Sequence, residues 1–161
     1  MKAHRAWPLA ALLPLLAACV VSPVEEVAAS TVTYTCCARA DVEQVYQPGQ
    51  TFTLNWIVES PDDPPVTPTP GPDVELTAHL IGPFESVEQL TAHAMGTLTV
   101  PGLVTYPAEP VRPADAPDRR PVSTIAIAPD AGPGYYNLVS SMADQGNAVG
   151  GESVIQVVAG S

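Results

Sequence analysis

The chain has 161 residues, long enough for one domain with a sizeable core. Its 17 acidic residues outnumber six basic ones for a net charge of −11, which makes nucleic-acid phosphates and anionic headgroups poor partners. Only 14% of residues are charged, which is low for a halophilic surface, so spread-out carboxylates that solvate the protein explain the acidity.

Met1 to Arg5 carries Lys2, His4 and Arg5 and no acidic residue, and Ala6 to Ala18 is a run of 13 almost wholly apolar residues. A transmembrane helix needs about 20, and Pro8 and Pro14 each remove a helical N–H. A short apolar run after basic residues is the pattern of a secretory signal. The run closes on Leu16-Ala17-Ala18-Cys19, which resembles the lipobox of bacterial lipoproteins. The resemblance implies cleavage before Cys19, a diacylglycerol on its thiol and acylation of the new amine. Acyl chains contribute ~0.8 kcal/mol per buried CH₂, and two or three of them anchor stably. The implied location is the cell envelope, outside the cytoplasm, on the plasma-membrane outer face or the outer membrane.

The expected organisation is a signal peptide over residues 1–18, a lipidated tether over 19–30 and one domain over 31–161. Beyond Cys19 there is no second apolar run near 18 residues. The mature chain of 143 residues loses Lys2 and Arg5 and keeps four basic residues, all arginine, against 17 acidic ones, a net charge near −13.

From Thr31 the hydrophobic period is two. In TVTYTC, Val32, Tyr34 and Cys36 face one way, predicting a half-buried strand. Gln47-Pro48-Gly49-Gln50 is a turn. Thr51 to Glu59 is the clearest strand, with Phe52, Leu54, Trp56 and Val58 inward. Ser60 to Pro72 holds six prolines in 13 residues and reads as a polyproline-like loop. Val74, Leu76, Ala78 and Leu80 alternate along a strand from Asp73 to Ile81. Ser86 to Ala94 is helical, with Ser86 as cap. Thr97 to Val100 reads as a short strand, and Pro101 to Pro121, with six prolines, as a second long loop. Strands follow over Val122–Ala128, Tyr135–Met142 and Glu152–Val158, with a turn at Asp144-Gln145-Gly146-Asn147.

About seven strands, one short helix and two Pro-rich loops argue for an all-β antiparallel sandwich. Pro48 to Trp56 looks like the second-strand region of bacterial immunoglobulin-like modules. Asp130 to Leu138 looks like their penultimate strand, where a Gly turn precedes a buried Tyr, and Ser153 to Val158 like the closing strand. The resemblance implies an immunoglobulin-like β-sandwich without the antibody-type inter-sheet disulfide, since no Cys lies near Leu138. Such sandwiches host many functions.

With Cys19 taken by lipid, Cys36 and Cys37 are the only thiols left. Three readings of the pair stand open: a vicinal disulfide in an oxidising compartment, two free thiols, or an intermolecular bridge or metal site. A disulfide requires departure from strand geometry, because adjacent strand residues face opposite ways. His79 and His93 fit no HxH or HExxH spacing and read as surface residues, so no metal is assigned. Asp62, Asp63, Asp115, Asp118 and Asp130 sit in loops without an EF-hand spacing. No G-x-S-x-G, S-x-x-K or phosphate loop occurs, and no cofactor beyond the Cys19 lipid is implied.

The expected function is therefore non-catalytic. A lipid-anchored domain would bind another envelope protein or glycan, with Tyr106, Arg112, Arg119, Arg120 and Tyr135 as a candidate surface rich in hot-spot residue types. The alternatives are a structural or assembly-accessory lipoprotein and a redox protein using Cys36 and Cys37.

Overall fold

The computed structural model describes residues 32–59, 70–117 and 119–160. The signal with Cys19, the tether, most of the first Pro-rich loop with Asp62 and Asp63, and Asp118 lie outside the described residues.

The fold is all-β. Its strands are β1 (Thr33–Thr35), β2 (Val45–Tyr46), β3 (Thr51–Asn55), β4 (Ile57–Glu59), β5 (Glu75–Phe84), β6 (Val104–Pro107), β7 (Val122–Ala126), β8 (Gly134–Asp144) and β9 (Asn147–Val157). Helix α1 (Arg39–Val42) follows β1, α2 (Val87–Ala94) follows β5, and a 3₁₀ turn spans Pro113–Asp115. The described strands form a five-stranded sheet, β2-β9-β8-β5-β6, and two pairs, β1-β4 and β3-β7.

Alternation decides which face each strand buries. Phe52, Leu54 and Trp56 point inward while Thr51 and Thr53 are exposed, so β3 runs into β4 with one continuous inner face. Leu76, Ala78 and Leu80 of β5, Ile125 of β7, Tyr136 and Leu138 of β8, and Ile155 and Val157 of β9 complete a single core shared by the five-stranded sheet and the two pairs. Each fully buried side chain of this size stabilises the fold by about 1.5–3 kcal/mol. Gly82 makes room for the largest of them. A Cβ there would stand 2.5 Å from Cδ1 of the Tyr136 ring, and the Tyr136 hydroxyl donates to the Gly132 carbonyl at 2.8 Å.

Several expectations need correction. There are nine strands among the described residues where the sequence predicts about seven, and β2 pairs parallel with β9 while the other strand pairs are antiparallel. Thr97 to Val100 is not a strand. The backbone N–H groups of Thr97 and Leu98 both donate to the Ala92 carbonyl, closing the end of α2, and Gly96 supplies the left-handed φ of +70° that this cap needs. The second Pro-rich loop instead contains β6, which pairs Tyr106 with Leu80 along the free edge of β5, where Pro107 at the strand's end costs no ladder bond. The strand closing the fold starts at Asn147 rather than Glu152. Helix α1, unforeseen, is tied down by Asp41, whose carboxylate accepts the Asn55 backbone N–H at 2.8 Å. Helix α2 forms where expected, with the Ser86 hydroxyl accepting from the Gln89 N–H at 3.2 Å.

Two predictions follow from the core. Trp56 Nε1–H donates to Ser123 Oγ at 3.0 Å, and both residues are buried. An orphaned buried donor costs about 1–3 kcal/mol, so Ser123→Ala is expected to lower the unfolding free energy in urea by about that amount. Outward-facing Thr124→Ala should stay within about 0.5 kcal/mol. Burial, then the neighbouring Tyr106, pushes the Tyr136 phenol up to about 12. Because this lies above the value near 10 of an unfolded tyrosine, the stabilisation is complete below about pH 10 and is lost as pH rises through the folded value. Tyr136→Phe should therefore show a shallower fall in stability between about pH 10 and 12 in denaturant titrations at stepped pH.

Candidate functional site

Strand β1 stops at Thr35, one residue short of the cysteine pair, and Cys36 to Ala38 leave the sheet before α1 begins. The structure joins Cys36 and Cys37 in a disulfide. A bridge between sequence neighbours closes almost no loop, so it constrains the unfolded chain little and does not staple the domain. Its effect is local, and its locality is a pocket.

The pocket has a volume of about 150 Å³ and lies between β1 and the β8–β9 hairpin. Tyr34, Cys36, Trp56 and Met142 form much of its wall, with Val149, Gly150 and Gly151 on the hairpin side. Three polar groups of the lining are engaged. The indole N–H of Trp56 is spent on Ser123, the Ser140 hydroxyl donates to the Gly151 carbonyl at 3.3 Å, and the Tyr34 backbone N–H approaches Met142 Sδ at 3.4 Å. Burial raises the Tyr34 phenol, keeping it neutral. The lining is predominantly carbon and sulfur, with the hydroxyls of Thr33, Thr35 and Ser141 among its polar groups, and it contains no carboxylate, imidazole, ammonium or guanidinium. Sites that enclose a drug-sized ligand run to roughly 300–1,000 Å³; this one accepts a single apolar side chain. Val149, 72% exposed, stands at its rim.

Of the residues singled out from the sequence, Cys36 lines this pocket and Cys37 is its disulfide partner. The five candidate binding-surface residues are not brought together. Tyr106 lies on the core face at the edge of the sheet, its ring 6.2 Å from that of Tyr136, with its phenol raised by burial and then by Asp130. Tyr135, next to Tyr136 in β8, points to the opposite face. Arg112 pairs with Glu75 at 2.8 Å on the surface. Arg120 lines a separate cavity of about 140 Å³ with Ala38, Asn55, Ile57 and Val58, and Arg119 lies beside Asp115. His93 sits against Phe84 and its Nδ1 is 3.1 Å from the Leu98 carbonyl, while His79 is in β5. Among the described residues no three metal-ligating side chains cluster, and no helix is long and apolar enough to cross a membrane.

Met142, Val149, Gly150 and Gly151 escaped the sequence reading. The Gly pair is a poor strand signal, and it hid the upper half of β9. A Cβ at Gly150 would stand 2.9 Å from the Ser140 carbonyl, so a close strand approach requires a glycine there. No family model matches this chain, and no curated protein matches it in sequence.

The disulfide makes a direct prediction. Without reductant the protein should take up no alkyl group on Cys36 or Cys37. Reduction should add two hydrogens by intact mass, allow two alkylations and alter the emission of Trp56, with little change in Tm. Two alkylations without reductant would contradict the bridge.

Proposed function

We propose that this protein is a lipid-anchored, non-catalytic envelope protein whose single immunoglobulin-like domain binds another envelope protein through the pocket beside Cys36. The observation that carries the reading is the pocket itself: small, predominantly apolar, uncharged and rimmed by an exposed valine. Apolar pockets of this kind are where interface anchors seat.

The immunoglobulin-like assignment draws support from the short strand β2 running parallel to the last strand, from the facing pairs β1-β4 and β3-β7, and from Tyr136. Its hydroxyl bonds back to Gly132 at the start of the penultimate strand, as in a tyrosine corner. The anchor reading rests on Leu16-Ala17-Ala18-Cys19 and its basic, apolar preamble. The domain begins about a dozen residues after Cys19, so the pocket, whose wall starts at Thr33, lies at the domain end of the tether.

Two experiments test this. Cys19→Ala should lose acyl label and leave the membrane fraction; retained label and membrane association would refute the anchor. A photo-crosslinking residue placed at Val149 in the full-length protein in its own envelope should give a discrete protein adduct, and one at Thr105 on β6 should not. Equal adducts from the two positions, or none, would refute the pocket as the contact. A redox reading is favoured only by the Cys36–Cys37 bridge, and a Cys36→Ser/Cys37→Ser variant that keeps the crosslink and any envelope phenotype would dispose of it.

A further inference from the structure

The opposite face of the β8–β9 hairpin carries a second, chemically different site. Helix α2 lies over the outer face of the five-stranded sheet and seals it only in part. Between the helix and β9 is a groove of about 240 Å³, with Leu90, Ala94 and Met95 on one wall and Val154 on the other. Met95 is 67% exposed, so the apolar wall continues to the surface. Two polar residues interrupt it. Asn137, on the outward face of β8 and only 4% exposed, donates through Nδ2 to Glu152 Oε2 at 3.2 Å. That bond fixes the amide's orientation, because only the nitrogen can donate to a carboxylate. The Asn137 Oδ1 is then a buried acceptor with no donor among the described residues.

The site thus presents a carboxylate, held by a buried amide, at the end of an aliphatic channel. A carboxylate at the end of an apolar groove suits a cationic donor carried on an aliphatic stem. The chain's own cations do not supply it: Arg39 pairs with Glu43, Arg112 with Glu75, and Arg119 and Arg120 belong to the segment before β7. We infer that this groove takes the side chain of a lysine from a partner protein, its methylene stem along Leu90, Ala94, Met95 and Val154 and its ammonium on Glu152 beside Asn137. The four-carbon stem of lysine packs along apolar surface while its head carries three donors. A second copy of the mature chain does not fit this role, since the only lysine in the sequence is Lys2, in the signal. The net charge near −13 of the mature chain, from 17 acidic residues and four arginines, favours a basic partner. The groove and the pocket beside Cys36 lie on opposite faces of the hairpin, and this inference does not rest on the pocket.

The test uses the full-length protein in neutral detergent, titrated with Nα-acetyl-lysine methylamide while the backbone amides of Leu90, Ala94, Asn137 and Val154 are followed by NMR. Controls are Nα-acetyl-norleucine methylamide, which keeps the stem without the ammonium, and Glu152→Gln, an exposed substitution that leaves the core untouched. Saturable shifts confined to these amides, weakened about five- to tenfold by Glu152→Gln and by loss of the ammonium, are expected. Equal binding of the norleucine probe, equal binding to Glu152→Gln, or no saturable shift at these amides would each overturn the inference. Failure here leaves the Val149 crosslink unaffected, and failure of the crosslink leaves this titration unaffected.

Discussion

Trp56 is the residue on which core and site both depend. It sits where β3 gives way to β4, with its ring buried and its indole N–H held by Ser123 of β7, the strand paired with β3. That bond lets a large aromatic enter the core without an orphaned donor, and its cost of removal is a sizeable fraction of a small domain's net stability. The same ring forms part of the wall of the pocket beside Cys36. Whatever enters the pocket therefore packs against a side chain already fixed by the core, so little ordering free energy is spent on that surface at binding.

The strands were legible wherever one face is buried and the other wet. Phe52, Leu54 and Trp56, or Leu76, Ala78 and Leu80, alternate with polar neighbours, and the period of two is a direct imprint of the pleat. Elements held by other means left no such imprint. Strand β2 is two residues long, and its place beside β9 is set by residues more than 100 positions away. Strand β6 lies among prolines that argue for a loop, yet an edge strand tolerates them. Thr97 to Val100 has strand composition, but its first donors are spent on the cap of α2.

The site was less legible than the fold, for a physical reason. Cys36 and Cys37 announce themselves by chemistry, but the pocket beside them exists because a Gly-Gly segment of β9 crosses close to Ser140. Glycine contributes no side chain to a pattern, so the wall it builds is invisible to periodicity. In the same way, Asn137 reads as an ordinary polar residue between Tyr136 and Leu138. Only the helix lying over it, which Leu90 anchors, turns it into a buried amide with one acceptor left over. Tyr106 and Tyr135 show the converse: both carry the residue type favoured at interfaces, and the pleat and pairing put them on opposite faces.

If the pocket beside Cys36 seats another envelope protein as proposed, its walls are covered in the membrane and open in detergent. Hydrogen exchange on the full-length protein measures this most directly, comparing native membranes with the detergent-purified form. Amides of Thr33 to Cys36 and Ala148 to Gly151 are expected to exchange more slowly in the membrane, while those of β6 do not change. Equal exchange of the pocket amides in the two states would contradict it.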